Sequence, residues 1–232
     1  MELNNYLEKY FPKVILKPNL YQQTDLSLHF EFAQDLYQFN SNDELNKEYF
    51  NTVYQQAIAI FNDIFSKDDK MFLVTNLYKP NAYLGSRLTK TGLYGKYVKN
   101  KKIKYKLKQN ALPYVFEDEE EAEQNSTTRF YLECKKEDID YNSIIKAICN
   151  KDFSLQPKLN SKFLLYYPDV FFVNISKGLI YFIYDDRGCE IIAVNKSSLH
   201  PLYIKYNGWL AEYTKTEATK LFSDSNNYDS KD

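Results

Sequence analysis

FFVNISKGLIYFIYDDRGCEIIAV, residues 171–194, is the stretch whose reading decides the fold. Two apolar runs, Phe171–Ile175 and Leu179–Tyr184, flank Ser176-Lys177-Gly178. Apolar, β-branched and aromatic runs of this length joined by a short glycine-containing turn predict a β-hairpin, with Gly178 at a position that favours positive φ. A second reversal follows at Asp185-Asp186-Arg187-Gly188, and a third apolar run, Cys189–Val194, leads into a helix. Charges of both signs are thus crowded into an otherwise apolar, strand-forming region. Adjacent carboxylates repel unless a cation or backbone N–H groups absorb their charge. The turn therefore reads in two ways. It is either a corner braced by Asp-to-backbone bonds and an arginine ion pair, or a recognition or catalytic site at the sheet edge.

Outward from that stretch, LSLHFEF (26–32) alternates, with Leu26, Leu28, Phe30 and Phe32 on one face and Ser27, His29 and Glu31 on the polar one. That pattern predicts a half-buried strand. Residues 1–11 read as a short helix stopped by Pro12. A long helix is expected over 43–65, capped from Asn40-Ser41-Asn42-Asp43, with a wide apolar stripe through Tyr49, Val53, Ala57, Phe61 and Ile64. MFLVTNLY (71–78) is nearly continuous in its apolar residues and reads as a central strand after a turn at 67–70. Residues 79–93, with Pro80, Gly85 and Gly92, read as loop.

Seven lysines fall between Lys96 and Lys108. Ile103, Tyr105 and Leu107 alternate with lysine there, which predicts a strand with one basic face. The acidic run 117–121, with Glu123 behind it, reads as a mobile, solvated loop that neutralises the basic strand across a hairpin. Six carboxylates so near would oppose counterion release, which argues against a nucleic-acid partner. TRFYLECK (128–135) is a strand, and Asp138 or Asp140 caps a helix over 141–150. Ser197 or Ser198 caps a last helix with Pro201 in its first turn. Residues 223–232 are a polar, disordered tail.

The chain has 232 residues and a formal net charge of −1, so no global field draws it to nucleic acid or membrane. It is 17% aromatic, with 22 Tyr and 16 Phe, which suits a recognition surface. An A/T-rich coding bias produces the same excess. MELNNYLEKYF does not read as a signal peptide, and no apolar run is long enough for a membrane span. Cys134, Cys149 and Cys189 have no CxxC spacing and read as reduced, buried thiols in a cytoplasmic protein.

Chemistry is sparse. Pro168-Asp169 with Asp185-Asp186-Arg187 faintly echoes a metal-dependent nuclease arrangement, but arginine stands where a lysine would orient water and cannot be deprotonated. Cys189 and His200 are a possible thiol–imidazole pair in spacing only. Cys189 reads as an inward strand residue and His200 as a surface group near a helix start. Scattered His and Cys offer no metal-ligand pair, and no phosphate loop is present. Trp209 reads as an anchor of the last helix on the hairpin or as an interface residue.

At YDDRGCEIIA (184–193) and LHPLYIKYNGWL (199–210) the chain resembles a family of uncharacterised bacterial domains of unknown function, mostly from Firmicutes. The resemblance extends through RFYLECKKEDIDYNSIIKAICNKDF, AIAIFNDIFSKDDKMFLV and LHFEF, so it covers most of residues 26–213. Glu190, Gln56 and Ala211-Glu212-Tyr213 depart from the family's usual residues. The family carries no assigned activity, so the resemblance implies a domain and no reaction.

These readings converge on a single α+β domain over residues 1–222, with its signature-bearing part at 128–213. Its sheet, antiparallel or mixed, has about six or seven strands, and its helices pack mainly on one face. The expected function is a cytoplasmic, non-enzymatic protein-binding domain, such as an immunity-type protein that neutralises a toxin. It binds through Tyr184, Asp185, Asp186, Arg187 and Trp209, with no cofactor, metal or catalytic residue. The enzyme alternative is a metal- or phosphate-handling site at Asp185, Asp186 and Arg187. Structure separates the two. A binder should brace these groups by backbone bonds without a pocket; an enzyme should converge them on a cavity with Glu190 or His200.

Overall fold

The computed structural model describes residues 1–81, 92–116, 119–159 and 167–223. Parts of the expected loop 79–93 and of the acidic run lie outside these residues. So does nearly all of the expected tail.

Among the described residues, seven strands form one antiparallel sheet. In chain order they are β1 (Ser27–Glu31), β2 (Lys70–Pro80), β3 (Lys108–Pro113), β4 (Asn125–Lys135), β5 (Asp169–Asn174), β6 (Leu179–Asp185) and β7 (Gly188–Ala193). Across the sheet the order is β1-β7-β6-β5-β2-β4-β3. The expected hairpin is β5–β6. Gly178 has φ +64°, and a side chain there would strike Val194, so the turn requires glycine.

The helices are α1 (Leu3–Tyr10), α2 (Lys47–Ile64), α3 (Leu93–Tyr97), α4 (Glu119–Gln124), α5 (Tyr141–Cys149), α6 (Lys196–Tyr206) and α7 (Glu212–Ser223). On one face of the sheet, Leu28, Leu73, Leu132, Phe172, Tyr181 and Ile191 pack with apolar residues of α2, α3, α5, α6 and α7. On the other, Phe72, Val74, Phe171, Val173, Ile180 and Ile192 are covered by Leu3, Tyr6 and Leu7 of α1 and by Phe11, Leu16 and Leu20 after it. Cover on both faces explains why the inner strands are continuous apolar runs with no alternation. It also explains why His29, placed by alternation on a polar face, is only 4% exposed.

Four local expectations are corrected. The basic stretch 96–108 is not a strand. After α3 it forms a 3-10 turn over Lys101–Lys106, capped by the Asn100 side chain, and β3 starts only at Lys108. Ile103 inside this turn and Leu107 at its C-cap pack against the core while Tyr105 is 80% exposed, so the inward positions come from the turn and its end and not from one strand face. Lys108 pairs with Glu2 at the N-terminal end, and Glu119–Gln124 is helical. The cap of α2 is Asn46, whose side chain accepts from the Glu48 and Tyr49 N–H groups at 3.0 and 3.3 Å. The cap of α6 is Asn195, Pro201 lies inside that helix, and α7 follows it. Asp140 caps α5, through the Ser143 N–H at 3.2 Å.

The cap correction is testable. Asn46→Ala should lower unfolding stability by about 1 kcal/mol, and Ser41→Ala should leave it unchanged within about 0.5 kcal/mol. Denaturant titration of both variants decides between the two cap positions.

Candidate functional site

The turn at Asp185–Gly188 closes one end of the sheet. Asp185 accepts the Arg187 backbone N–H at 2.8 Å and binds its guanidinium through Nε at 3.1 Å and Nη2 at 2.6 Å. Lys151, just beyond α5, approaches Asp185 at 3.9 Å and donates to the Tyr184 carbonyl at 2.6 Å. Asp186 turns the other way. It accepts from the Tyr49 hydroxyl on α2 at 2.7 Å and from the Gln38 amide at 3.2 Å. Burial pushes the Asp186 carboxyl above its ordinary value, and these two donors oppose that push. The Arg187 carbonyl accepts the Phe32 N–H at 2.8 Å, so the turn also holds the end of β1.

Gly188 is required by close approach. A side chain there would collide with the Tyr184 hydroxyl and the Phe30 carbonyl. The Tyr184 ring crosses β7 at this gap and meets His29 Nε2 at 3.0 Å. Tyr213 reaches His29 Nδ1 at 2.8 Å from the other side. Enclosed by these two rings and Tyr21, His29 is driven down by burial to a pKa of about 4, so it is neutral at pH 7.

Beside this cluster lies a cleft of about 660 Å³. It opens where the N-terminal cover of the second sheet face ends. Its floor follows strand register. Phe182 pairs with Glu190, and Glu190 pairs with His29, so β6, β7 and β1 present these side chains in one row on one face. Asp169 enters from β5, and Tyr184, Asp185, Arg187, Lys151, Tyr49 and Gln38 line the far end. Glu190 is 2% exposed, inside a strand covered on both faces. Burial raises its pKa to about 7, against the pull of backbone N–H groups of Leu20, Asn19 and Tyr21, the first at 2.6 Å. Burial likewise raises Asp169 to about 6, opposed by the Tyr78 hydroxyl at 2.8 Å and by Lys151.

Tyr184, Asp185 and Arg187 therefore line the cleft, while Asp186 is anchored behind its Tyr49–Gln38 wall. Trp209 does not reach it. It sits half-buried in a short turn after α6, stacked on Tyr206 at 4.6 Å. Cys189 is buried with its thiol raised far above its ordinary value, and His200 is exposed against Phe222. Each structural criterion is met in one half: the turn is braced, and it borders a cavity with Glu190. Carboxylate atoms of Asp152, Asp185 and Asp186 lie within 4.8 Å of one another, but Asp185 and Asp186 are engaged by Arg187 and Tyr49.

Sequence names Asp169 only in the nuclease-like echo and Glu190, a carboxylate inside the apolar run CEIIA, only beside the enzyme alternative, and it does not single out His29, Lys151 or Tyr213 as site residues. The rest depends on strand register, which a sequence read alone leaves open.

The two strong shifts give opposing pH slopes. Glu190 is raised, so its contribution to stability is present below about pH 4.5 and is lost as pH climbs through about 7. His29 is lowered, so its contribution is present above about pH 6.5 and is lost as pH falls through about 4. Each slope approaches about 1.4 kcal/mol per pH unit between them. Glu190→Gln removes the falling one. Urea titrations between about pH 5 and 6.5 should show the variant gaining stability with pH more steeply than the parent. Equal slopes would contradict the burial of Glu190 as a titrating group.

No helix among the described residues is long and apolar enough to cross a membrane. No solved structure matches the chain. One relative, an uncharacterised protein named YnaE from Bacillus subtilis (strain 168), is 40% identical over 213 residues, spanning 92% of this chain and 99% of that one. The family model described as "Domain of unknown function (DUF3885)" matches residues 3–214. The chain belongs to the DUF3885 family, whose function is unknown.

Proposed function

We propose that this chain is a non-enzymatic binding protein and that the cleft is where it receives a side chain of a partner protein. The observation that carries this reading is the rim. The segment that supplies Leu36 and Gln38 to the cleft also carries Tyr37, 81% exposed, and Phe39, 51% exposed, and Tyr213, 60% exposed, lines the cleft from the side of His29. Exposed aromatics around a recessed polar centre are the composition of a protein recognition surface, where rigid rings add contact area at small entropic cost.

The groups that could do chemistry are already occupied. Both oxygens of Asp185 hold Arg187, Asp186 holds Tyr49 and Gln38, and both His29 nitrogens meet tyrosine hydroxyls. The metal- or phosphate-handling alternative has one observation in its favour, the shared cavity with Glu190. It would require Asp185 to release Arg187 before this carboxylate could touch a substrate. Toxin neutralisation is the narrower form of the binding reading, and it requires a toxin-like partner encoded beside this gene.

A photo-crosslinking residue placed at Tyr37 or at Gln34, expressed in the native host, should capture one and the same protein from both positions. The same residue at Tyr105, on the basic turn, should not capture it. Capture from Tyr105 alone would overturn the assignment of the cleft as the recognition site. Protection of cells against the captured protein would establish the narrower form.

A further inference from the structure

We propose that two copies of this chain join edge to edge through β3, antiparallel about a twofold axis at Asn110, with the basic turn of each copy facing α4 of the other. The inference is independent of the cleft, which lies toward the opposite margin of the sheet.

The two margins of the sheet are β1 and β3. β1 is covered: the Ala211 N–H donates to the His29 carbonyl at 3.0 Å, and Leu210 bridges Phe30. Which groups β3 leaves open follows from register. The Ile175 N–H donates to the Lys70 carbonyl at 2.9 Å, so β2 turns its even-numbered residues toward β5 and its odd-numbered ones toward β4. β4 then turns Tyr131, Arg129 and Thr127 toward β3, where they meet Lys108, Asn110 and Leu112. Gln109, Ala111 and Pro113 therefore direct their backbone groups away from the sheet. Pro113 sits where a missing N–H costs no ladder bond. Among the described residues, no hydrogen bond reaches the backbone groups of Gln109 and Ala111. Exposed edges are commonly guarded by an unpaired charge. Here Lys108 is paired with Glu2, and Gln109 and Ala111 are exposed and uncharged.

An antiparallel partner strand offers N–H and C=O groups in matching pairs. With Asn110 on the axis, Gln109 of each copy faces Ala111 of the other. The ladder stops there, because Pro113 has no N–H and the Leu107 N–H is taken by the Lys104 carbonyl at 3.2 Å.

Charge selects a second copy as the occupant. The basic turn adjoins the start of β3, and α4 adjoins its end. The strand has six residues, so within one copy these groups stand about 17 Å apart, beyond the screening length of about 8 Å. Lys101, Lys102 and Lys106 are exposed, as are Glu120 and Glu123, and none of them has an ion pair among the described residues. Antiparallel pairing lays the start of one β3 beside the end of the other, so a basic turn meets an acidic helix at both ends of the contact. It also brings Tyr105, 80% exposed, to the Tyr114 and Phe116 rings that follow β3 in the other copy. An isologous contact uses each of these features twice.

Sedimentation equilibrium of the full chain should show a monomer–dimer equilibrium that weakens between about 0.05 M and about 0.5 M NaCl. Ala111→Pro removes an outward N–H that the fold does not use, and it should raise the dimer dissociation constant at least about tenfold with the far-UV spectrum unchanged. Charge is tested without touching the strand. A chain carrying Lys101→Glu, Lys102→Glu and Lys106→Glu and one carrying Glu120→Lys and Glu123→Lys should each stay monomeric alone and associate when mixed. Register is tested by Asn110→Cys. Facing residues of a non-hydrogen-bonded pair lie about 4.5 Å apart at Cα, within disulfide reach, so this variant should oxidise to a covalent dimer. Glu48→Cys, exposed on α2, should not, and the native cysteines are buried. A parent chain that stays monomeric up to about 1 mM at low salt would overturn the proposal. So would association that Ala111→Pro leaves intact, charge-reversed chains that fail to associate when mixed, or a disulfide that forms as readily at position 48 as at position 110.

Discussion

Two consecutive carboxylates, Asp185 and Asp186, are buried at one turn, and the rest of the arrangement depends on how their charge is absorbed. One faces its own turn and closes it through Arg187 and the Arg187 N–H. The other faces away and holds α2 through Tyr49 and the connecting segment through Gln38. Removing a single partner from such a buried charge costs several kcal/mol, because the remaining group is left desolvated and unpaired. The turn thus ties together β6, β7, α2, the segment after β1 and, through Lys151, the end of α5. Hydrogen-bond geometry makes a crowded acidic pair into a fastening.

The cleft is a consequence of that fastening and of unequal cover. Among the described residues the sheet is packed on one face by five helices, α2, α3, α5, α6 and α7. The other face is covered by α1 and the chain after it, which ends over Glu190 with the Leu20 N–H. Beyond that point the floor of the cleft continues as Glu190, Asp169 and the His29 cluster. The absence of a side chain at Gly188 lets Tyr184 cross β7 and join this cluster. Backbone constraint, aromatic packing and the state of an imidazole are therefore one connected feature.

The sheet was legible because its inner strands are apolar enough to be recognised whatever covers them, and because Gly178 marks the hairpin. α2 was legible from its stripe. Its cap was not: several polar residues precede the helix, and a side chain's bond to one N–H among many leaves no trace in composition. The basic stretch 96–108 misled because three apolar residues in alternation satisfy a strand template over too short a span to decide against a turn. α7 was missed because its buried residues are few, Ala218 and Phe222. Of the site, the contiguous part, Tyr184 to Arg187, stands out in sequence as charge inside an apolar region. Glu190, His29 and Asp169 come together only through pairing between strands distant in the chain, and Trp209, chosen for its size and aromaticity, packs elsewhere.

If the turn fastens α2 through a buried charge, Tyr49 and Asp186 must be energetically coupled. A double-mutant cycle with Tyr49→Phe, Asp186→Asn and the pair, read by denaturant unfolding, measures that coupling directly. The account requires a coupling energy of at least about 1 kcal/mol, the value of a buried hydrogen bond to a charged group. Additive effects, within about 0.5 kcal/mol, would mean that the two groups are neighbours without being partners, and the corner would lose its structural role.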